Sequence, residues 1–225
     1  MPELILASSS PRRVELLNQL NLSFRIVSPD INETKLLGEP HLEYVSRMSR
    51  EKAESVYTGV AECGDHIVLS GDTVVIVDGD LLGKPIDKND AVEMLLRLSG
   101  NTHQVITSVT VKGNIVKDMV KDMPGETISI DSVLVETNVQ FRVLTVDECV
   151  SYWNTGEPVD KAGAYGIQGL GAVFVERIEG SYSNVVGLPL SETAQLLSMF
   201  GIECLTGHEQ KQEETKLVKE VDGHG

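Results

Sequence analysis

The sequence predicts an α/β protein built on an extended mixed β-sheet with flanking helices. Three runs rich in Val, Ile and Thr, at residues 66–77, 104–116 and 128–141, have the β-branched composition of strands. Around them, apolar residues recur every three or four positions, as on the buried face of a helix. Because strands and helices do not alternate strictly, we expect parallel and antiparallel pairs in one sheet.

The N-terminal part of the chain predicts two strands and two helices. Residues 3–7 and 24–27 have the composition of short strands, and a polar loop occupies residues 30–39. Ser10 followed by Pro11 is typical of a helix start, with a hydroxyl N-cap and proline at the first helical position. A second helix, of about four turns, is predicted by five residues that share one face: Leu42, Val45, Ser49, Ala53 and Val56.

The central part predicts a hairpin and a capped helix. The strand at residues 66–77 turns at residues 78–80 into a short partner, and the hairpin ends at residues 83–85. Asp87 and Asp90 have the spacing of a capping pair, and Gly100 ends the helix that they begin.

The C-terminal part predicts shorter elements. Thr145 and Glu148 have the spacing of a capping box at the start of a helix. A strand follows at residues 173–178, then a loop at 180–184 and a helix at 188–199.

Length and composition favour one independently folding unit. With 225 residues, 41% of them hydrophobic, the chain can form one large domain or two fused lobes with a shared core. Residues 117–126 are predicted as a loop or hairpin tip. Residues 206–225 are charged and without periodicity, which indicates a frayed, disordered tail.

Charge and cysteine content exclude several classes of function. Acidic residues outnumber basic ones 34 to 19, for a net charge of -15, so binding along a nucleic acid is disfavoured, whereas a small anionic ligand held by local cations is not. Three cysteines, Cys63, Cys149 and Cys204, are widely spaced and indicate neither a disulfide framework nor a zinc site. We find no apolar run of about 18 residues and no signal sequence, so we expect a cytoplasmic protein without a membrane span.

The motif SSSPRR at residues 8–13 indicates a phosphate site. Arg12 and Arg13 lie in the first turn of a predicted helix, where free backbone N–H groups already favour an anion, and guanidinium groups add paired donors. Hydroxyl groups, including that of Ser8, precede them. The alternative is a pair of exposed arginines on a solvated helix face.

Asp72 interrupts an otherwise apolar strand. Burying its carboxylate without a partner costs several kcal/mol, so we expect compensation by a divalent ion or by Lys52 and Lys84. The alternative is a strand edge or bulge in which backbone groups satisfy the carboxylate. Lys84 lies in a Gly-Lys-Pro turn that is not a Walker A loop. Glu33, in a polar loop, is either a metal ligand or a solvated glutamate.

The segment TGEPVDKAGAYGIQGLG at residues 155–171 contains five glycines, which indicate a backbone close to another group. Gln168 offers an amide donor and acceptor together. Its alternative role is a loop amide bonded to its own backbone. Tyr165 either stacks on a base or fills the loop.

Together these motifs resemble the Maf family of nucleoside triphosphate pyrophosphatases, also called septum formation inhibitor proteins. The resemblance extends from about residue 4 to about residue 200 and is carried, in order, by SSSPRR, Glu33-Thr34, REKA at residues 50–53, SGDTVV at 70–75, GKP, LSGNTHQVIT, TGEPVDKAGAYGIQG and VVGLPL. It implies a single catalytic domain at residues 1–205, with two lobes around a deep cleft, a divalent cation, Mg²⁺ or Mn²⁺, and cleavage between the α and β phosphates. A homodimer is compatible with it.

The resemblance also implies a role for each candidate residue. Asp72 is the general base and, with Glu33, belongs to the metal site. Arg12, Thr73 and Gln168 are the specificity positions. The phosphate-binding positions are Ser8, Arg13, Lys52, Lys84 and Lys161.

The resulting hypothesis is a pyrophosphatase that converts dTTP and UTP, or modified relatives, to the monophosphate and pyrophosphate. The string KAGAYGIQG is similar to the subgroup acting on these nucleotides rather than to the 7-methyl-GTP subgroup. Two alternatives stay open: a family member that prefers 7-methyl-GTP or another purine, and a noncatalytic nucleotide-binding regulator of cell division.

Overall fold

The computed structural model describes residues 2–60, 65–115 and 128–205. The predicted loop at 117–126, the predicted tail at 206–225 and Cys63 lie outside these ranges. Among the described helices, none is both long enough and apolar enough to cross a bilayer.

The described strands form one mixed sheet, as the sequence predicts. Seven strands make it: β1 (Glu3–Ala7), β2 (Phe24–Val27), β3 (His66–Val77), β4 (Asp80–Leu82), β5 (Thr102–Asn114), β6 (Ile128–Phe141) and β7 (Val175–Glu179). Their order is β2-β1-β3-β5-β6-β7, with β4 paired to β3. β1 is parallel to both β2 and β3, and all other pairs are antiparallel.

Helices pack around this sheet. They are α1 (Pro11–Gln19), α2 (His41–Gly59), α3 (Lys88–Leu98), α4 (Val146–Trp153), α5 (Tyr182–Val186) and α6 (Leu190–Met199). Short 3₁₀ helices span Glu157–Asp160, Ala162–Ala164 and Leu170–Phe174. The last of these replaces the predicted start of the final strand, so β7 begins two residues later than the prediction.

The predicted caps are present, with one change. Asp87 accepts bonds from the backbone of Asn89 and Asp90, and the capping box at Thr145 is complete. Ser10 is the N-cap of α1, but its side chain makes no capping bond. The predicted loop at 180–184 is wrong in part, because α5 begins there, and a helix of five residues is too short to show periodicity.

The apolar core divides into two main clusters at opposite ends of the long strands. The first lobe contains β1, α1, α6 and one end of β3 and β5, and its core includes Leu6, Leu17, Leu69, Val111 and Leu197. The second lobe contains α3, α4 and the other ends of those strands, and its core includes Val77, Leu95, Val105, Phe141 and Phe174. β3 and β5 therefore run through both lobes, which confirms the predicted two-lobed fold.

One edge of β3 is interrupted where the lobes meet. β1 pairs with β3 as far as Ser70, and β4 pairs with the same edge only from Val75 onward, while β5 covers the opposite edge. Residues 71–74, which we call the β3 gap, thus have no strand partner on that edge among the described residues. The gap leaves strand backbone, together with Asp72 and Thr73, at the base of a cleft between the lobes.

Candidate active site

The cleft at the β3 gap encloses about 620 Å³, a volume typical of small-ligand sites. Its walls come from both lobes. Every candidate residue from the sequence lines it: Ser8, Arg12, Arg13, Glu33, Lys52, Asp72, Thr73, Lys84, Lys161 and Gln168. Residues from widely separated parts of the chain therefore converge on one cavity.

On one face of β3, Lys52 compensates the carboxylate of Asp72. Its Nζ lies 2.7 Å from Asp72 Oδ1 and 2.9 Å from Glu33 Oε1. The ammonium group is almost fully buried, with Lys52 6% exposed, so a cation and two carboxylates share a poorly solvated site. Of the two lysines considered from sequence, Lys52 is the one that contacts Asp72.

The pKa of Glu33 reflects this arrangement. Burial raises the pKa of its carboxyl group, but the hydrogen bond and the charge of Lys52 lower it more, with smaller contributions from Lys84 and Arg13. The net pKa lies below the ordinary value of 4.5, so Glu33 is ionised at neutral pH.

Small hydroxyl residues let α2 lie close to the sheet and carry Lys52 to Asp72. Ser49 is fully buried, and its Oγ lies 2.7 Å from both Ser108 Oγ and Thr110 Oγ1 on β5. Ser70 Oγ donates to the Ser49 carbonyl at 2.6 Å. Since residues three apart share a helix face, this contact directs Lys52 toward the same face of β3.

The opposite face of β3 holds Arg13. Its Nε donates to the Gly187 carbonyl at 2.8 Å, Nη2 to Thr73 Oγ1 at 3.1 Å, and Nη1 to Ser8 Oγ at 3.4 Å. A guanidinium group has five N–H donors, so two are left for a ligand. Burial lowers the pKa of Arg13 and the charge of Asp72 raises it, and the group stays cationic.

Arg12 joins the two lobes across the cleft. Its Nη1 lies 3.2 Å from Asp160 Oδ2, and Lys161 Nζ lies 2.7 Å from the other oxygen of the same carboxylate. Burial raises the pKa of Asp160, but Lys161 and Arg12 together hold it below its ordinary value. Asp160 was not a candidate from sequence, although it directly precedes Lys161 in the glycine-rich segment.

Lys84 and Gln168 line the cleft with side chains that make no hydrogen bond or ion pair to residues within 2–60, 65–115 and 128–205. Both are exposed. The Gln168 amide therefore does not bind its own backbone, which was the alternative role considered for it. Both groups are available to a ligand.

Tyr165 fills the loop instead of projecting freely into the cleft. It is 6% exposed, and its hydroxyl lies 2.9 Å from Nε2 of the buried His103. The ring packs edge-on against Phe141. Of the two roles considered for Tyr165, packing agrees with these contacts.

The carboxylates of the cleft fit a cation that binds together with substrate. Among the described residues there is no cluster of three or more His, Cys, Asp or Glu side chains that could hold a metal alone. Glu33 and Asp72, however, both contact Lys52 and so lie close to each other. One or two carboxylates plus phosphate oxygens is the usual donor set for Mg²⁺ in nucleotide-processing enzymes.

Comparison with known proteins identifies the family. A dTTP/UTP pyrophosphatase of Hahella chejuensis is 47% identical over 200 residues, covering 89% of this chain and 93% of that relative. One of Pseudoalteromonas translucida is 50% identical over 196 residues, covering 87% and 95%. The solved structure of the Staphylococcus aureus Ham1 protein aligns with a TM-score of 0.34 and 15% identity, over 61% of this chain and 71% of that one, a likeness too weak to support any argument. Residues 3–200 match the family described as Maf-like protein, and the chain therefore belongs to the Maf family.

Proposed function

We propose that this protein is a nucleoside triphosphate pyrophosphatase that hydrolyses dTTP and UTP to the monophosphate and pyrophosphate. The observation that carries the proposal is the Asp72 carboxylate at the base of a cleft whose walls carry Arg12, Arg13, Lys84 and Lys161. The names of the relatives, at 47% and 50% identity over most of the chain, supply the substrates.

The cationic groups would bind the triphosphate. Arg13 is held by Ser8, Thr73 and Gly187, so its remaining donors are preorganised. Lys84 extends from the second lobe without a hydrogen bond or ion pair to the described residues, and Lys161 also lines the cleft. Oriented cations of this kind stabilise the negative charge that develops on phosphate oxygens during transfer.

Asp72 would act as general base. It accepts a proton from a water molecule as the water oxygen bonds to the α-phosphorus. The bond from the α-phosphorus to the bridging oxygen breaks, and its electron pair leaves with pyrophosphate. Lys52 donates a hydrogen bond to the carboxylate at 2.7 Å and so holds it in place.

A divalent cation, Mg²⁺ or Mn²⁺, fits the same site. Glu33 and Asp72 would hold it, and when bound it would neutralise charge on the nonbridging phosphate oxygens. Lys52 would then keep the two carboxylates together while the cation is absent, since both contact its Nζ.

Arg12, Thr73 and Gln168 would determine the choice of base. The free amide of Gln168 can pair with the N3–H and an adjacent carbonyl of thymine or uracil, a pattern that cytosine and adenine do not present and that guanine presents only on a larger ring. Thr73 is fixed by Arg13 and by Thr107 Oγ1 at 3.0 Å, so it offers a rigid surface and not an adaptable one.

Three further predictions accompany this function. A catalytic domain at residues 1–205, a cytoplasmic location and a homodimer stay predictions, each to be tested separately by limited proteolysis, fractionation and sedimentation.

A nucleotide panel tests the proposal. We expect the protein to release pyrophosphate from dTTP and UTP in the presence of Mg²⁺ or Mn²⁺. This release should stop when a chelator is added. Release of orthophosphate only, or indifference to the chelator, would contradict the mechanism. A purine optimum would favour the 7-methyl-GTP or purine alternative, and tight binding without turnover would favour a noncatalytic regulator.

A further inference from the structure

A single carboxylate outside the candidate catalytic set organises the glycine-rich loop at residues 166–171. Glu157 accepts hydrogen bonds from the Tyr152 hydroxyl at 2.7 Å, from the Leu170 backbone at 2.8 Å and from the Gly171 backbone at 3.1 Å. The Tyr152 hydroxyl in turn accepts a bond from the Gly166 backbone at 3.0 Å. Both ends of the loop are thus tied to Glu157.

The glycines of this loop are explained by the same contacts. A Cβ atom at Gly171 would lie 2.6 Å from the Tyr152 hydroxyl oxygen, and one at Gly166 would lie 2.6 Å from Lys161 Cε. A Cβ atom at Gly169 would overlap the Glu157 carboxylate itself. Their φ angles are not positive, so glycine is required here for close approach and not for backbone conformation.

In this network the Tyr152 hydroxyl is neutral and the Glu157 carboxylate is anionic. Tyr152 is 4% exposed, and burial together with the bond to Glu157 raises the pKa of its hydroxyl, so that hydroxyl remains a donor. Burial raises the pKa of Glu157, but its three hydrogen bonds and Lys161 lower it below the ordinary value. The carboxylate therefore stays ionised and keeps all three donors at neutral pH.

Gln168 lies in the middle of the loop and depends on this support. Its side chain has no hydrogen bond to the described residues, so its position follows from the backbone on either side, which Glu157 holds directly at residues 170 and 171 and through the Tyr152 hydroxyl at residue 166. The Glu157 backbone carbonyl also accepts a bond from Lys161 Nζ at 2.7 Å. Glu157 thereby holds in place both Gln168, the proposed base-reading residue, and Lys161, a proposed phosphate-binding residue.

We infer that Glu157 is a positioning residue for pyrimidine selection, acting through Gln168. The inference rests on the proposed function, in which Gln168 reads the base. An amide at position 157 could not accept from all three donors, because one of its two polar atoms is itself a donor. The loop would then shift, and a misplaced amide would distinguish bases poorly even though the phosphates remain bound.

The readout is the ratio of kcat/KM for dTTP to that for dCTP. The two substrates carry the same sugar and triphosphate and a ring of the same size. They differ in the donor and acceptor pattern that Gln168 would read and in the 5-methyl group of thymine. We expect Glu157→Gln to lower this ratio about tenfold, the value of roughly one good hydrogen bond. Tyr152→Phe, which removes one donor to Glu157 and the acceptor of the Gly166 N–H but leaves both backbone donors to Glu157 in place, is expected to lower it less.

Glu148→Gln is the matched control. Glu148 likewise accepts several hydrogen bonds, from Arg142 and Thr145, but it lies at the start of α4 and does not line the cleft. We expect it to lower the thermal unfolding midpoint without changing the dTTP to dCTP ratio. All ratios are measured well below each unfolding midpoint, so that a general loss of stability affects both substrates equally.

The outcomes separate this inference from the proposed function. If Gln168→Ala and Glu157→Gln both lower the ratio, Glu157 acts through Gln168. If Gln168→Ala lowers it and Glu157→Gln reduces both substrates alike, the inference is overturned while the proposed function stands. If Gln168→Ala leaves the ratio unchanged, base reading by Gln168 fails, and the inference fails with it. Should Glu157→Gln not fold, Gly169→Ala disturbs the same contact from the loop side, with the same expected fall and the same overturning result.

Discussion

The ammonium nitrogen of Lys52 lies 2.7 Å from Oδ1 of Asp72, at the base of a cleft where a long strand has lost its partner on one edge. A carboxylate in an apolar strand is thereby matched by a buried cation from the neighbouring helix. One residue further along the same strand, Thr73 binds Arg13 on the other face. The β3 gap therefore brings the carboxylate of Asp72 and the cationic groups of Lys52 and Arg13 to one cleft. The predictions that follow depend on this arrangement.

Replacing Asp72 by Asn should lower the rate of pyrophosphate release from dTTP by about 10³-fold, because the amide cannot accept the proton of water. The amide can still occupy the same volume, so we expect a folded protein by circular dichroism. Asp80→Asn, which removes the exposed partner of Arg97, serves as the control and should retain activity. Near-normal turnover in Asp72→Asn would remove this residue from the role of base.

Lys52→Met should shift the acid limb of the pH–rate profile to higher pH. In the native protein Lys52 opposes the effect of burial on the pKa of Glu33, so without it burial is opposed only by the smaller effects of Lys84 and Arg13, and this pKa rises. The free energy of unfolding should fall by about 3 kcal/mol, since a buried charge loses its partner. Lys112→Met, whose ammonium group lies over the Tyr57 ring, is the control. An unchanged acid limb would mean that Glu33 ionisation does not matter for turnover.

Arg13→Lys should reduce kcat/KM for dTTP by about 100-fold, although the charge is kept. An ammonium group cannot bind Gly187, Ser8 and Thr73 in one plane and still present donors to phosphate. Arg25→Lys changes a surface arginine that binds Glu3 and should leave the kinetics as they are. Equal kinetics for both lysine variants would argue against the phosphate role.

His103 should make the protein less stable as the pH falls below neutrality. Burial lowers the pKa of His103 from 6.5 to about 4, so between these values the unfolded chain binds a proton that the folded protein does not. The contribution of the neutral His103 side chain to the free energy of unfolding is complete above pH 6.5. It is lost toward pH 4, at about 1.4 kcal/mol per pH unit.

Urea unfolding at pH 7 and pH 5 measures this effect. His103→Gln should show a smaller loss of unfolding free energy over that interval than the wild type. Parallel losses in the two proteins would show that His103 does not titrate on unfolding.

Local sequence determined the elements and the chemistry of the candidate residues. β6 occupies residues 128–141 as predicted, and the capping pairs at Asp87 and Thr145 form, because composition and short-range hydrogen bonds decide them. A five-residue helix such as α5 escapes detection, since it is shorter than the pattern that would reveal it.

Tertiary structure alone decided which candidates meet. The sequence offered both Lys52 and Lys84 for Asp72, and the approach of α2 to the sheet through Ser49 selects Lys52. Arg12 and Asp160 are separated by 148 residues, and Glu157 acts on backbone groups that have no side-chain signature. Contacts of this kind depend on strand register and lobe packing, which arise from the summed burial of many distant side chains and so leave no local pattern in the chain.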